Sequence, residues 1–173
     1  MVADSTEPQV TSLTRLTLDY FHGEDRMKLT GLTQEGALVV AWLSLRLLER
    51  LVPHLLSRYD AIVASTGSTT ASLTETTPST VSDGSEAPVQ PQRDTPSFLV
   101  CSADMTQGTD AIVLTLRGAD DVVRFAIPVP KMAHWLSGLK NLYQVAEWPM
   151  NVWQGLDQLL LSSENGGGSV TLH

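Results

Sequence analysis

A chain of 173 residues, of which 42% are hydrophobic and 17% charged, is long enough for one globular domain or two small ones. Its formal net charge of −8 argues against a nucleic-acid-binding protein and against attachment to anionic membrane surfaces, because both depend on concentrated lysine and arginine. No apolar stretch approaches the ~20 residues that cross a bilayer, and no secretory signal is visible, so we expect a cytoplasmic protein without nucleic-acid or membrane partners.

The first half of the chain, 10–64, predicts three strands followed by a helix. Apolar residues alternate with polar ones, or form a short continuous run, in three segments separated by polar turns. These segments are Leu13–Tyr20, Met27–Gly31 and Leu38–Trp42. After Ser44, a favoured type of N-cap residue, the apolar spacing becomes that of a helix with one apolar face. Pro53 lies inside this helix and should bend it or begin a second one.

A long polar segment, 65–97, separates the two halves of the chain. It consists almost entirely of Ser, Thr, Pro, Gly and acidic residues, with Leu73 and two valines as its only sizeable apolar side chains. Such a composition cannot bury enough apolar surface to offset the entropy lost on ordering. We therefore predict a disordered acidic linker.

The second half, 98–148, repeats the same order of elements. The predicted strands are Phe98–Ala103, Ile112–Leu116 and Val122–Val129. Pro128 and Pro130 end the third strand and begin a helix, because proline is favoured in the first helical turn. The apolar face of this helix consists of Met132, Trp135, Leu136, Leu139, Leu142 and Tyr143.

The two halves align closely enough to predict an internal repeat. Asp25–Gly36 aligns with Asp110–Asp121 without a gap, which places Met27 on Ile112. Few positions are identical, so two common units of three strands and a helix could also be alike by chance. Each half is shorter than ~80 residues, the size below which a single core is marginal. We therefore expect an α+β fold in which two pseudo-repeated β-β-β-α units share one composite core.

The two ends of the chain lie outside these units. We expect 1–9 to be disordered. In the C-terminal region, 149–173, the apolar spacing predicts a helical turn near Trp153. Asn165–Gly168 is a strong turn signal, so a hairpin or a loose tail should follow.

The sequence shows no motif for catalysis, for a cofactor or for a metal. It contains no phosphate-binding loop, dinucleotide-binding glycine pattern, zinc-protease motif or paired-cysteine motif. The best local cluster of metal-ligating residue types is His22 with Asp19, Glu24 and Asp25, and it fits a solvated turn better than a metal site. We therefore predict no catalytic residue, no cofactor and no metal.

Two further features each have a structural and a functional interpretation. Arg46, Arg50 and Arg58 cluster on the predicted first helix. Because Glu49 interrupts them, we expect a solvated helix face rather than a phosphate site. Cys101, the single cysteine, ends an apolar run, so we predict a buried and unreactive thiol.

The aromatic residues near the C-terminus favour a binding surface. Trp148 and Trp153, with Met150 and Tyr143, belong to the residue types enriched in the centres of protein interfaces. Helical spacing also allows Tyr143 to face the sheet as a core residue, whereas the two tryptophans have weaker core assignments. We predict that these four residues form a partner interface or a self-association surface.

The absence of catalytic motifs, the acidic charge and the aromatic C-terminal region favour a non-catalytic interaction or assembly module. Such a module would act as an adaptor or as a dimerising accessory protein, and open sheet edges would invite pairing. The alternative is an enzyme or small-ligand binder with its site in the cleft between the two halves. The turn residues His22, Asp19, Asp110 and Asp120 would then converge on that cleft. The sequence neither supports nor excludes a structural component of a phage or a secretion system.

Overall fold

The structure, a computed structural model, describes residues 9–66 and 87–156 of the chain. Within these ranges the fold is α+β, with seven strands in one curled sheet, two α-helices and two single-turn 3-10 helices. The strands are β1 (Val10–Phe21), β2 (Arg26–Thr33), β3 (Leu38–Leu43), β4 (Ser97–Leu99), β5 (Ser102–Gln107), β6 (Ala111–Arg117) and β7 (Val122–Pro128). The helices are α1 (Leu45–Thr66) and α2 (Met132–Val145), and the 3-10 turns are Val129–Lys131 and Asn151–Trp153.

Most predicted elements are present at the predicted positions, including both helices and the turn near Trp153. One strand differs, because the segment predicted as Phe98–Ala103 forms two strands. β4 ends at Leu99, and β5 begins at Ser102 and continues to Gln107, four residues past the predicted end of the strand at Ala103. The two residues between them, Val100 and Cys101, are where the chain passes from one neighbouring strand to another.

The sheet consists of two three-stranded antiparallel ribbons joined by parallel pairs. Its strand order is β4-β3-β2-β1-β7-β6-β5, with β1 parallel to β7 and β3 parallel to β4. The strands at the two ends of this order, β4 and β5, are consecutive in the chain. The backbone of the residues between them forms hydrogen bonds both with β3 and with β6. The N–H of Val100 donates to the carbonyl of Trp42 at 3.0 Å, and the N–H of Cys101 donates to that of Arg117 at 2.8 Å. The sheet therefore curls until it closes on itself, which removes most of its open edges.

The two parallel contacts are short, and this determines where the helices lie. β1 pairs with β7 only over Val10–Ser12, and β3 pairs with β4 only over Val40–Trp42. Beyond these residues the strands separate, and α1 packs beside β5 while α2 packs beside β1. Among the described residues, β5 pairs with another strand on one side only. On its other side, β5 faces helix α1.

Both helices and the inner face of the sheet form one contiguous hydrophobic core. Met27 and Leu29 on β2, and Ile112 and Leu114 on β6, are each at most 1% exposed. The helical contribution comes from one face of each helix: Leu48, Leu51, Val52, Leu55, Leu56, Tyr59 and Ile62 on α1, and Met132, Leu136, Leu139 and Tyr143 on α2. Burying one such large side chain contributes about 1.5–3 kcal/mol, so tertiary packing holds the helices in place.

Helix α1 begins as its sequence predicts but does not break at its proline. The Ser44 hydroxyl accepts a hydrogen bond from the N–H of Leu47 at 3.3 Å, which confirms Ser44 as the N-cap. Pro53 lies within the helix, so the expectation that a second helix begins there is wrong. Val52 and Leu55 are fully buried on either side of Pro53, and their packing offsets the missing hydrogen bond. No helix in the described ranges is both long and apolar enough to cross a membrane.

The described end of the predicted linker, which we call the return segment (87–96), runs along the outside of the sheet. The Arg15 guanidinium donates to the carbonyl of Ala87 at 2.9 Å, and the N–H of Val89 donates to the Thr17 hydroxyl at 2.8 Å. Val89 is buried there, outside the main core. The rest of the predicted linker up to residue 86, the N-terminal residues 1–8 and the predicted hairpin after 156 lie outside the described residues.

Candidate functional site

A groove of about 450 Å³ lies between α1 and β5, and we call it the α1/β5 groove. Its helical wall consists of Leu47, Arg50, Leu51, His54 and Arg58. Its other wall is the run Cys101–Met105. The chain leaves the sheet when β3 ends at Leu43, and α1 then lies beside β5.

The helical wall is cationic because of a four-residue spacing. Arg50, His54 and Arg58 follow one another at intervals of one helical turn, which places their side chains along the same side of α1. Both arginines are exposed, and Nη1 of Arg58 lies 3.5 Å from Oε1 of Gln107 at the end of β5. Arg46, one turn before Arg50, is exposed and does not line the groove. The sequence predicted that the three arginines lie on a solvated face of the helix. In the structure, Arg50 and Arg58 line the groove, and Arg46 alone lies outside it.

The β5 wall exposes the edge of a strand rather than one of its faces. Side chains of successive strand residues point to opposite faces of a sheet, yet all five residues from Cys101 to Met105 line the groove. What these residues share on the groove side is their backbone. The opposite edge of β5 is fully paired with β6, from Ser102 with Arg117 to Gln107 with Ile112. Since no described strand pairs with the groove-facing edge, its N–H and C=O groups face the groove without a ladder partner.

The charges that line the groove do not cancel. Its one carboxylate belongs to Asp104, whose Oδ2 already accepts a hydrogen bond from Nε of Arg117 at 2.7 Å. No carboxylate of the described residues lies within ion-pair distance of Arg50 or Arg58. The groove is therefore a cationic site in a chain whose formal net charge is −8.

The structure corrects the prediction for Cys101. This thiol is exposed, and it lines the groove instead of lying in the core. Phe98 and Val100 are buried while Leu99 and Cys101 are exposed, so the alternation of strand side chains places Cys101 on the outward-facing side.

A second polar cluster joins the β1–β2 turn to the residues after α2. Oδ1 of Asp25 accepts hydrogen bonds from the Tyr20 hydroxyl at 2.6 Å and from Nε1 of Trp148 at 2.8 Å. These two hydrogen bonds, that of Tyr20 first, hold the pKa of Asp25 below its ordinary value. The same bond to the Asp25 carboxylate raises the pKa of Tyr20. The backbone φ of Asp25 is +49°, a left-handed conformation that aspartate tolerates better than most residues.

The other residues of the predicted turn cluster have separate contacts. Asp19 lies 4.0 Å from Lys28 and Glu24 lies 3.3 Å from Arg26, while the His22 ring packs edge-on against Tyr20 at 4.6 Å. The described residues contain no group of three histidine, cysteine, aspartate or glutamate side chains placed to hold a metal ion. The sequence suggested a cleft between the halves lined by His22, Asp19, Asp110 and Asp120. None of these four residues lines the α1/β5 groove.

The four residues predicted as a partner interface lie mostly in the core. Tyr143, Trp148 and Trp153 are buried, and Met150 is half-buried against them. Trp148 and Trp153 each pack edge-on against the Tyr143 ring, with ring centroids 5.3 Å apart. Burial raises the pKa of Tyr143, and the nearby Glu49 raises it further. The aromatic cluster thus presents little surface in the single chain, and its binding of a partner stays a prediction.

Comparison with known proteins identifies no relative of this chain. No protein-family model, no curated protein and no solved structure matches the chain. The geometry of its own residues, above all the α1/β5 groove, is therefore the basis for functional inference.

Proposed function

We propose that this protein is a non-catalytic interaction module that binds a protein partner in the α1/β5 groove, as an adaptor or as a dimerising accessory protein. The observation that supports this most directly is the unpaired edge of β5 in the wall of a groove. An open strand edge is a template for pairing with another chain, and proteins usually cover or blunt such edges. Here α1 stands beside the edge without filling the space, so the edge is sheltered from random association and accessible to a specific guest.

A second candidate function uses the same groove for a small anionic molecule. Pockets for small ligands commonly measure roughly 300–1,000 Å³, and the groove falls in this range at about 450 Å³. It lies between the helix of the first half and the first long strand of the second, and it contains His54 and Cys101 beside its arginines. This combination fits a ligand-binding or catalytic site between the halves.

We also propose that the two halves arose by internal duplication. In the gap-free alignment of Asp25–Gly36 with Asp110–Asp121, Thr30 corresponds to Thr115. These two threonines are the buried polar residues of the described ranges, and β2 and β6 share the same burial pattern around them. The two parallel pairs also correspond. If the halves are exchanged, β3 of the first half matches β7 of the second, and β4 matches the start of β1. The dimeric state and the cytoplasmic location expected from the sequence are proposals as well, and so is disorder of the part of the predicted linker that lies outside the described residues.

The proposed function is tested by isolating the tagged full-length protein from its native host. We compare it with the groove variant Arg50→Glu/Arg58→Glu and with the matched control Arg46→Glu/Arg93→Glu, whose exposed arginines lie outside the groove. We expect a stoichiometric protein partner with the parent and the control, and its loss from the groove variant. A partner retained by the groove variant would contradict the proposal. A small anion in place of a protein, detected by native mass spectrometry, would favour the second candidate.

A further inference from the structure

The α1/β5 groove has the length of a short extended segment. Along α1, the lining residues from Leu47 to Arg58 span about 17 Å at the helical rise per residue. Along β5, Cys101 to Met105 span about 13 Å at the rise of a strand. The two walls therefore run together for the length of four or five extended residues. A compact ligand would occupy only part of such a site.

The hydrogen-bonding groups on the β5 side match those of a strand. A polypeptide beside an unpaired edge forms main-chain hydrogen bonds at a spacing of about 4.8 Å between strands, and these bonds do not depend on its side chains. The paired edge of β5 is regular from Ser102 to Gln107, without a bulge. The free edge therefore has the same regular backbone, which is the requirement for adding one more strand.

The side chains of the groove define the guest that fits. Arg50 and Arg58 lack carboxylate partners among the described residues, and the one carboxylate of the lining is occupied by Arg117. A guest with carboxylates would supply the missing counter-charges. Leu47, Leu51 and Met105 provide an apolar part of the lining. Because alternate side chains of a strand point in opposite directions, a guest in which acidic and apolar residues alternate meets both parts of the groove.

We infer that the partner of this protein binds through an extended acidic segment, which lies in the α1/β5 groove and pairs with β5 as an additional strand. This inference rests on the proposed function and specifies the partner's chemistry. The acidic segment is held by main-chain hydrogen bonds to β5 and by ion pairs with Arg50 and Arg58. The arginines select against basic segments, since like charges placed together disfavour the wrong partner.

The test uses synthetic peptides and the full-length protein. The first peptide is a blocked heptapeptide in which glutamate alternates with valine, and the second has lysine in place of glutamate. Two further versions of the acidic peptide are N-methylated, each on a different alternate set of backbone amides. In an added strand, one set of N–H groups points to β5 and the other points away. Affinity is measured by calorimetry, and hydrogen exchange is followed at the amides of Ser102–Gln107.

We expect the acidic peptide to bind at least tenfold more tightly than the lysine peptide and to slow amide exchange along β5. One N-methylation pattern should abolish binding while the other changes it less than threefold. Arg50→Gln and Arg58→Gln should each weaken binding about tenfold, whereas Arg46→Gln should leave it unchanged. Equal effects of the two methylation patterns would overturn strand addition, and so would displacement of the peptide by inorganic phosphate at equal affinity.

Failure of this inference can be told apart from failure of the proposed function. If no peptide binds, but the partner from the native host is still lost from the Arg50→Glu/Arg58→Glu variant, the groove binds a protein by another mode and the strand inference is wrong. If that partner is retained by the variant, the groove itself is not the binding site. In that case both the proposed function and the inference that rests on it are overturned.

Discussion

At the scale of single residues, Asp25 joins two distant parts of the chain. Its carboxylate accepts hydrogen bonds from Tyr20 and from Trp148, which lies 123 positions away. We expect Asp25→Ala to lower the melting temperature, because it removes both bonds and places alanine in a left-handed conformation. Asp25→Asn should lower it less, since asparagine keeps an acceptor oxygen and tolerates this conformation. Thermal unfolding followed by tryptophan fluorescence measures both effects, and equal melting temperatures for the two variants would contradict this explanation.

The same residue gives a pH dependence with a defined sign. The hydrogen bond from Tyr20, and then that from Trp148, lowers the pKa of Asp25 in the folded state. A carboxylate with a lowered pKa stabilises the fold fully above its unfolded value of about 3.9, and this contribution is lost as the pH falls through the folded pKa. The difference in melting temperature between the parent and Asp25→Asn should therefore be constant near neutral pH and shrink below about pH 4. A difference that does not change with pH would show that the charge is unimportant.

Residues such as these could not be placed from the sequence. His22, Glu24 and Asp25 lie in the turn that the sequence predicts, but the sequence does not show that Trp148 donates a hydrogen bond to Asp25. The prediction for Cys101 failed for a different reason. It assigned a whole apolar run to the core, although alternate side chains of a strand point to opposite faces, and Leu99 and Cys101 share the exposed one.

At the scale of elements, Pro53 lies inside a helix that its packing keeps continuous. A proline in a helix interior removes one hydrogen bond and crowds the carbonyl four residues earlier, at a cost of about 3 kcal/mol. Pro53 is exposed, so Pro53→Ala removes no core contact. We expect this variant to stabilise the protein by about 1–3 kcal/mol in urea unfolding. Ser57→Ala, at another exposed position of α1, is the control and should change stability by only a few tenths of a kcal/mol. Unchanged or reduced stability of Pro53→Ala would mean that the core requires a bend at this position.

Elements were predictable wherever local periodicity determines them. Alternating apolar residues predicted β2 and β6 to within a few residues, and the helical spacing after Ser44 and Pro130 predicted α1 and α2. The candidate groove was visible only in part. The four-residue spacing of Arg50, His54 and Arg58 is a sequence signal for one cationic side of a helix, but the free edge of β5 opposite them depends on the tertiary fold.

At the scale of the whole molecule, the arrangement of the two halves depends on contacts that no local pattern predicts. The parallel pairs β1–β7 and β3–β4 join residues far apart in the chain and involve only three residue pairs each. Polar turns and apolar strands are compatible with an open sheet as well as with a closed one. Because the sheet curls, most of the strand edges that we expected to be open are paired. The groove-facing edge of β5 is an exception among the described strands, and only the tertiary fold reveals it.

Closure of the sheet depends on Gly118, at the start of the β6–β7 turn. A Cβ atom there would lie 2.5 Å from Cδ2 of Phe98 and 3.2 Å from the carbonyl oxygen of Leu99, on the strand that completes the ring. We expect Gly118→Ala to push β4 and the following residues away from this turn and to destabilise the protein by about 1–3 kcal/mol, as overpacking in a core does. Amide exchange at Val100 and Cys101 should accelerate, because their N–H groups bond across the closure.

Gly138 on α2 provides the matched control for this prediction. No atom outside the neighbouring backbone of α2 lies within 4 Å of a Cβ placed there, so alanine adds no clash and removes the entropic cost of a helical glycine. Gly138→Ala should therefore stabilise the protein by about 0.5–1 kcal/mol in urea unfolding and leave exchange at Val100 and Cys101 unchanged. The same chemical change then has opposite signs at the two glycines, which separates closure of the sheet from any general effect of the substitution. If Gly118→Ala were as stable as the parent, with slow exchange at both amides, the residues between β4 and β5 would not close the sheet at this turn.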